Sequence, residues 1–225
     1  MSPSNGLSVA EHLYARSDDQ ALLDHARAFW RSHGPADPES AEVARFARVA
    51  AFRSGSADDD LWQARAVAAA CTTGAWRSLA LSLQQYFYRL LGRGEHEAAE
   101  GVLEEMERLA EHEHEGPPEK DLVSGILAER RALLLTDRGE WSAALTYYKK
   151  ALDLCPQGTR RSLKVRGGLA RSEWLAGGDH EVAANEFKSL ASESKAFPDV
   201  RNAALTNVAA AKAEDRSGSV PFDLV

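Results

Sequence analysis

Residues 125–158 read GILAERRALLLTDRGEWSAALTYYKKALDLCPQG, and this stretch decides the fold. Apolar residues recur at the spacing of one helix face as far as Leu135, and a second such pattern begins at Trp141. Gly139 lies between the two patterns and Pro156 follows the second, and both are residues that typically end helices. The stretch therefore predicts two helices joined by a tight turn.

The turn of this stretch has two further copies in the chain. Gly94–Ala99, Gly139–Ala144 and Gly178–Ala183 each begin with glycine and an acidic residue and end with alanine. The glycine is expected to end one helix in a left-handed conformation, and the acidic residue to lie in the first turn of the next. The alanine allows the two helices to approach closely, so the chain contains an internal repeat of helix pairs. The large apolar residues that follow four positions later are Leu103, Tyr148 and Phe187.

Over residues 125–158 the sequence resembles one complete tetratricopeptide repeat, a unit of about 34 residues. Looser copies cover residues 80–115 and 163–197. The resemblance implies an all-α fold: a right-handed superhelical solenoid of antiparallel helix hairpins, with about ten to eleven helices. The residues that carry the resemblance are Ala132, Leu135, Gly139, Trp141, Ala144, Tyr148, Ala151 and Pro156.

The helical pattern covers the whole chain and predicts a single domain over residues 1–225. Residues 58–197 carry the repeats, 199–214 resemble a C-terminal capping helix, and 215–225 form a tail. Residues 1–57 lack the repeat signature, and two interpretations stay open: degenerate repeats or N-terminal capping helices. Helices are predicted near 7–15, 18–33, 39–54, 58–72, 75–92, 95–114, 120–138, 140–154, 160–177, 180–195 and 199–214.

The composition supports this fold and limits the location of the protein. The 225 residues include 39 Ala and 26 Leu but a single Ile, which favours helices over strands. No apolar run reaches the about 18 residues of a membrane span, and the start lacks a signal-peptide pattern, so we expect no membrane partner and a cytoplasmic location. Cys71 and Cys155 have no metal-type spacing and are expected as reduced thiols on the packed side of helices.

The formal net charge of −7 is unevenly distributed. Residues 95–121 contain 11 acidic residues against Arg108 and Lys120, so the rest of the chain is close to neutral. This balance does not favour nucleic acid as a partner. A contact between the acidic residues 95–121 of one copy and the basic residues 160–171 of another would form a homodimer, and the sequence leaves this alternative open.

Motifs that carry chemistry in other proteins have structural explanations here. His96–Glu100 resembles half of a zinc-protease motif, but His96, Trp141 and His180 occupy one repeat position, where an aromatic residue is expected to pack between helices. Glu111–Glu115 holds two histidines on a predicted solvated helix end, with a metal or pH-sensing site as the alternative. No nucleophile lies beside a base and no glycine-rich phosphate loop is present. The sequence predicts no catalytic residue, no metal, no cofactor and no enzyme.

For function, the resemblance implies a groove formed by the first helix of each repeat, in which a peptide or partner helix lies. The basic residues there would suit an acidic segment, and an ordinary solvated helix face is the alternative. We therefore expect a non-catalytic scaffold or adaptor that binds a protein or peptide segment. The alternative is a regulatory sensor that binds a small ligand or signalling peptide in the same groove. The predicted groove residues are Gln84, Gln85, Tyr88, Arg130, Lys164, Arg171, Trp174 and Asn207.

Overall fold

The computed structural model describes residues 6–112, 117–218 and 220–221, with side chains at all of these except 76, 77, 112 and 117–122. Within these residues the chain is helical and contains no strand. The helices are α1 (Gly6–Ala15), α2 (Asp19–His33), α3 (Ser40–Arg53), α4 (Asp59–Thr73), α5 (Trp76–Gly92), α6 (His96–His112), α7 (Pro117–Asp137), α8 (Trp141–Leu154), α9 (Arg160–Leu175), α10 (His180–Glu193) and α11 (Pro198–Lys212).

The predicted helices agree with these bounds to within a few residues. The largest difference at a helix start is in α7, which was predicted from residue 120 and begins at Pro117. Proline lacks an N–H group but is accommodated in the first turn of a helix, where that group has no partner within the helix. Pro117 therefore starts this helix instead of preceding it.

The chain divides into two compact units, Met1–Gly92 with α1–α5 and Arg93–Val225 with α6–α11. Within each unit, every helix contacts the next one in sequence. In the first unit α1 contacts α3 and α3 contacts α5, and in the second unit α7 contacts α9 and α9 contacts α11. Because the contacts divide the chain in this way, the single domain predicted over residues 1–225 stays a prediction.

The core of the first unit is centred on α3. Small side chains line the contact between α3 and α4, where Ala44, Ala47 and Ala66 are at most 1% exposed. Larger residues fill the space around them, and Phe29 and Trp62 belong to this core. Close packing of alanine against alanine explains the high alanine content of this region.

In the second unit the repeat positions are buried, as the sequence predicts. The alanine of each turn copy and the large apolar residue after it have little or no exposed surface. Close packing is evident between α8 and α9, where a Cβ atom at Gly168 would lie 2.6 Å from the ring of Tyr148. A glycine inside a helix costs stability, and here it makes room for a neighbouring aromatic ring. The six buried residues are Ala99, Leu103, Ala144, Tyr148, Ala183 and Phe187.

The third turn copy differs from the prediction. Gly139 is left-handed with φ of 77°, but in the third copy the left-handed residue is Gly177, with φ of 107°, and not Gly178. Gly178 is required for another reason, because a Cβ atom there would lie 2.7 Å from the carbonyl oxygen of Glu173.

The acidic residue precedes the first turn in all three copies, because α6 begins at His96, directly after Glu95, and Glu140 is the N-cap of α8. Asp179 is the N-cap of α10 and accepts hydrogen bonds from two backbone N–H groups.

The prediction that Cys71 lies in the core is wrong, because its side chain is exposed. The buried stripe of α4 runs through Trp62, Ala66 and Ala70. Consecutive helical residues are about 100° apart around the axis, so Cys71 lies to one side of that stripe. Cys155 is buried, as predicted.

The two histidines of the turn copies do not pack between helices as the sequence predicts. His96 Nε2 lies 2.7 Å from Asp137 Oδ2, and His180 Nε2 lies 3.6 Å from Glu214 Oε1. Both imidazole rings are partly exposed beside carboxylates at helix ends. A polar ring that keeps access to water and an acidic partner avoids the cost of burying its nitrogen atoms.

Candidate functional site

The structure places the predicted groove residues in both units. Gln84, Gln85 and Tyr88 lie on α5 of the first unit, and each is half-buried. The other five lie on α7, α9 and α11 of the second unit, where α7 contacts α9 and α9 contacts α11. These five are Arg130, Lys164, Arg171, Trp174 and Asn207. A single groove shared by all eight residues stays a prediction.

Three of the predicted groove residues have almost no accessible surface: Trp174 and Arg130, and also Asn207, which a segment of the C-terminal tail covers. Trp174 is 1% exposed and belongs to the core of the second unit, where its indole meets the ring of Phe187 edge-on at a centroid distance of 6.3 Å. Arg130 is 2% exposed, and its Nη1 lies 3.2 Å from Glu129 Oε1. A partner contacts only accessible atoms, so in this structure Trp174 and Arg130 are interior residues rather than groove surface.

The basic run on α9 is paired within the second unit. Arg160 and Lys164 both contact the carboxylate of Asp199 on α11, the lysine at 3.5 Å. Hydrogen bonding from Arg160 holds the pKa of Asp199 below its ordinary value, so this carboxylate stays ionised. An acidic partner would therefore compete with a carboxylate of the chain itself, which weakens the expectation of an acidic ligand.

A similar pair connects α7 with α9. Arg161 Nη1 donates to Glu129 Oε2 at 2.5 Å, and the Glu129 side chain is 4% exposed. In the last turn of α7, the hydroxyl group of Thr136 lies 3.2 Å from that of Ser172. These polar contacts fix the register of α7 against α9, as the contacts of Asp199 fix the register of α9 against α11.

The acidic helix α6 is also partly neutralised within the second unit. Glu100 contacts Arg131 at 3.1 Å and Arg138 at 2.6 Å, and Glu107 contacts Arg131 at 2.9 Å. The Arg138 hydrogen bond holds the pKa of Glu100 below its ordinary value. These carboxylates already have basic partners on α7 and directly after it, so they do not favour the alternative of a homodimer contact with the basic run on α9.

Asn207 holds the backbone of Val220 in the C-terminal tail. Its Nδ2 donates to the carbonyl oxygen of Val220, and its Oδ1 accepts from the Val220 N–H, both at 2.8 Å. Asn207 itself is 0% exposed. A primary amide has one donor side and one acceptor side, so it can satisfy both polar groups of one backbone residue. The arrangement recognises a main chain irrespective of the side chains that it carries.

A turn after α11 directs the chain back to this amide. Glu214 is left-handed with φ of 55°. The Oδ1 atom of Asp215 then accepts hydrogen bonds from Ser217 N at 3.0 Å, Ser217 Oγ at 2.6 Å and Gly218 N at 3.1 Å. The Ser217 hydroxyl and the two backbone N–H groups hold the pKa of Asp215 below its ordinary value. Within the same turn, Arg216 Nη2 donates to Gly178 O at 3.4 Å.

Asn207 was among the predicted groove residues, but its contact with Val220 was not predicted. Residues 215–225 were predicted only as a tail after the capping helix. Its signal was nevertheless present, because aspartate followed by serine and glycine is typical of a turn closed by the side chain. The sequence could not indicate which residue the chain contacts after this turn, because that contact depends on the position of α11.

Two clefts lie elsewhere in the second unit. One of about 340 Å³ lies between α6, α7 and α8, and Arg131 and Tyr147 contribute to its lining. Another of about 280 Å³ lies between α9 and α10, beside Leu169 and the exposed Val182. Both have charged rims and some apolar lining, as is common where neighbouring helices meet.

Metal ligation and membrane crossing have no support in the described part of the chain. No three His, Cys, Asp or Glu side chains come together there as metal ligands. The alternative metal site at Glu111–Glu115 depends on His112 and His114, whose side chains lie outside the described residues. Among the described helices, none has the length and apolar character needed to cross a bilayer.

No protein-family model matches the chain, and no curated protein matches it. The resemblance to tetratricopeptide repeats therefore rests on the residues quoted above and on the contacts between helices within each unit.

Proposed function

We propose that the protein is a non-catalytic module that binds an extended segment of a partner protein. In this proposal the helix pairs stack as a tetratricopeptide-like right-handed solenoid, and the odd-numbered helices form the binding surface. Contacts between successive odd-numbered helices within each unit support this stacking. The buried alanine and large apolar residues at the repeat positions support it as well.

The observation that carries the proposal is the pairing of Asn207 with Val220. An extended segment presents its backbone N–H and C=O groups, which must find partners wherever the segment is removed from water. Asn207 supplies one donor and one acceptor to such a segment at 2.8 Å. The same geometry would accept the main chain of a partner with a different sequence.

The ion pairs of α9 favour a partner that is bound through its backbone groups over a strongly acidic partner. Arg160, Arg161 and Lys164 have carboxylate partners within the chain. An acidic segment would have to displace these carboxylates, and the gain in exchanging one ion pair for another is small. We therefore expect moderate salt dependence of binding.

A display experiment with random peptides tests this function. Peptides selected on the full chain should bind the Asn207→Ala variant about tenfold more weakly, because two hydrogen bonds to the main chain are lost. Asn202→Ala is the matched control, since Asn202 is an exposed residue of the same helix. Selection of no peptide, or of peptides that bind Asn207→Ala as tightly as the wild type, would contradict the proposal.

The second candidate function is a sensor that binds a small ligand, which the cleft of about 340 Å³ between α6, α7 and α8 favours. A ligand that binds only the folded chain raises the melting temperature by mass action. A thermal-shift screen with metabolites should then show a shift that Tyr147→Ala removes, and an absence of shifts would count against the sensor. For either function we propose a cytoplasmic location, because Cys71 and Cys155 form no disulfide.

A further inference from the structure

We propose that the C-terminal segment, described at residues 213–218 and 220–221, is an internal ligand that occupies the peptide site at Asn207 and must leave before a partner segment binds there. This inference rests on the proposed function and adds its regulation. The tail then competes with the partner for Asn207, so the fraction of chains that can bind a partner equals the fraction in which the tail is detached.

The first support is the state of Asn207. Both polar ends of its side chain are engaged by the N–H and C=O groups of Val220. The residue has no exposed surface, while Val220 and Pro221 are half-buried. An incoming segment therefore cannot reach this amide while the tail is in place.

The second support is the turn that returns the tail to α11. The Asp215 carboxylate collects three hydrogen bonds from Ser217 and Gly218. Two backbone bonds, from Glu214 N to Ala211 O at 3.1 Å and from Asp215 N to Ala210 O at 2.9 Å, attach the start of the turn to α11. The reversal is thus formed by local groups and delivers Val220 to Asn207 without a long loop.

The third support is that the described part of the turn lies at the surface. Residues 214–218 are exposed, and the bond from Arg216 to Gly178 O is long at 3.4 Å. A segment held by a short tether has an effective concentration in the millimolar range, which compensates for a small number of contacts. Such an internal ligand prevents the binding of low-affinity segments and is displaced by a segment of high affinity.

The test uses the full chain with one substitution in the tail. Val220→Pro removes the N–H group that donates to Asn207 Oδ1, since proline has no backbone donor. The probe is a fluorescein-labelled synthetic peptide of residues 214–225, with the sequence EDRSGSVPFDLV, and binding is followed by anisotropy. We expect the Val220→Pro chain to bind this peptide about tenfold more tightly than the wild type, because its site is no longer occupied.

The role of Asn207 is tested in the same background. Asn207→Ala added to Val220→Pro should weaken peptide binding about tenfold, and Asn202→Ala added to it should leave binding unchanged. Equal affinity of wild type and Val220→Pro would overturn the internal ligand. So would an absence of binding to Val220→Pro, or an affinity that Asn207→Ala leaves unchanged.

A second measurement does not depend on the added peptide. Trypsin should cleave after Arg216 more slowly in the wild type than in Val220→Pro or Asn207→Ala, with Asn202→Ala as the control. Equal rates in all four chains would also overturn the inference. If instead displayed peptides bind wild type and Val220→Pro equally and still need Asn207, the proposed function stands and only the regulation by the tail fails.

Discussion

The two units place their charges differently. In the first unit, Arg48 and Arg89 enclose Asp59 at 3.1 and 3.0 Å, and all three side chains are at most 11% exposed. In the second unit, Arg138 pairs with Glu100 at a surface where their side chains are 22% and 36% exposed. The first unit thus has one carboxylate enclosed by two arginines inside its packing, whereas the pair of Arg138 with Glu100 in the second unit lies at the edge of a helix contact. The second unit also has a buried pair, Glu129 with Arg130, whose side chains are 4% and 2% exposed.

The difference affects how each unit responds to mutation and to pH. Burial lowers the pKa of Arg48 despite the nearby Asp59, which indicates that desolvation dominates there. A buried ion pair contributes little net stability, but the loss of one partner leaves an uncompensated charge. A partly exposed pair costs little to break. Removal of Asp59 should therefore cost far more stability than removal of a partly exposed carboxylate such as Glu100.

The largest effect is expected from Asp59→Asn in the first unit. It leaves Arg48 and Arg89 without their shared carboxylate and should lower the free energy of unfolding by about 3–5 kcal/mol. Asp60→Asn is the control, since Asp60 also contacts Arg89 but its side chain is 65% exposed, and it should cost no more than about 1 kcal/mol. Urea-dependent hydrogen exchange read by mass spectrometry reports each unit separately. Similar losses of unfolding free energy for both variants would contradict the burial of the cluster of Arg48, Asp59 and Arg89.

A packing substitution is expected to have the next largest effect, and it acts in the second unit. Gly168→Ala forces a methyl group against the Tyr148 ring and should cost about 1–3 kcal/mol. Gly101→Ala places the same methyl group on exposed α6 with nothing within 4 Å. It should stabilise the helix by about 0.5–1 kcal/mol. The sign of the two effects, measured by the same exchange method, decides whether α8 and α9 are packed as described.

Much of the fold could be predicted from the sequence, and these two glycines show why the remainder could not. Helix periodicity and the glycine turns are local signals, so the bounds of most helices follow from them. Burial depends on distant neighbours: Gly168 and Gly101 are both helical glycines, but only one faces an aromatic ring. For the same reason Trp174 was predicted on a surface and lies in the core, while Cys71 was predicted in the core and is exposed.

The candidate site was predictable in part. Asn207 was identified through the family resemblance, and the helices that carry the other residues were predicted correctly. The pairing of Lys164 with Asp199 could not be predicted, because these residues lie on α9 and α11 with α10 between them in sequence. The sequence therefore predicted a basic surface on α9, whereas in the structure Arg160 and Lys164 form ion pairs with Asp199.

A smaller effect is expected from acidification. Hydrogen bonds from arginine hold the pKa values of Glu100, Glu193 and Asp199 below their ordinary values. Such groups contribute stability above the unfolded pKa of about 4, and this contribution is lost as the pH falls through their lower folded values. Glu100→Gln should cost less than about 1 kcal/mol at neutral pH and make the second unit less sensitive to acid. An unchanged acid sensitivity in hydrogen exchange of α6 and α7 would contradict this.

The smallest effect is on thiol reactivity. Burial raises the pKa of the Cys155 thiol, whereas Cys71 is exposed. Because the thiolate is the reactive form, one thiol of the folded chain should react promptly with a disulfide reagent and the other slowly. Cys71→Ser should remove the fast phase and leave the slow one. A fast phase that survives this substitution would place the exposed thiol elsewhere.

The central claim is that Asn207 holds a main-chain segment, and hydrogen exchange at the tail tests it most directly. In the wild type the N–H of Val220 is bonded to Asn207 Oδ1 at 2.8 Å, so fragments that cover residues 213–221 should retain a slowly exchanging amide. That protection should disappear in Asn207→Ala and persist in Asn202→Ala. Equal exchange in wild type and Asn207→Ala would contradict the account.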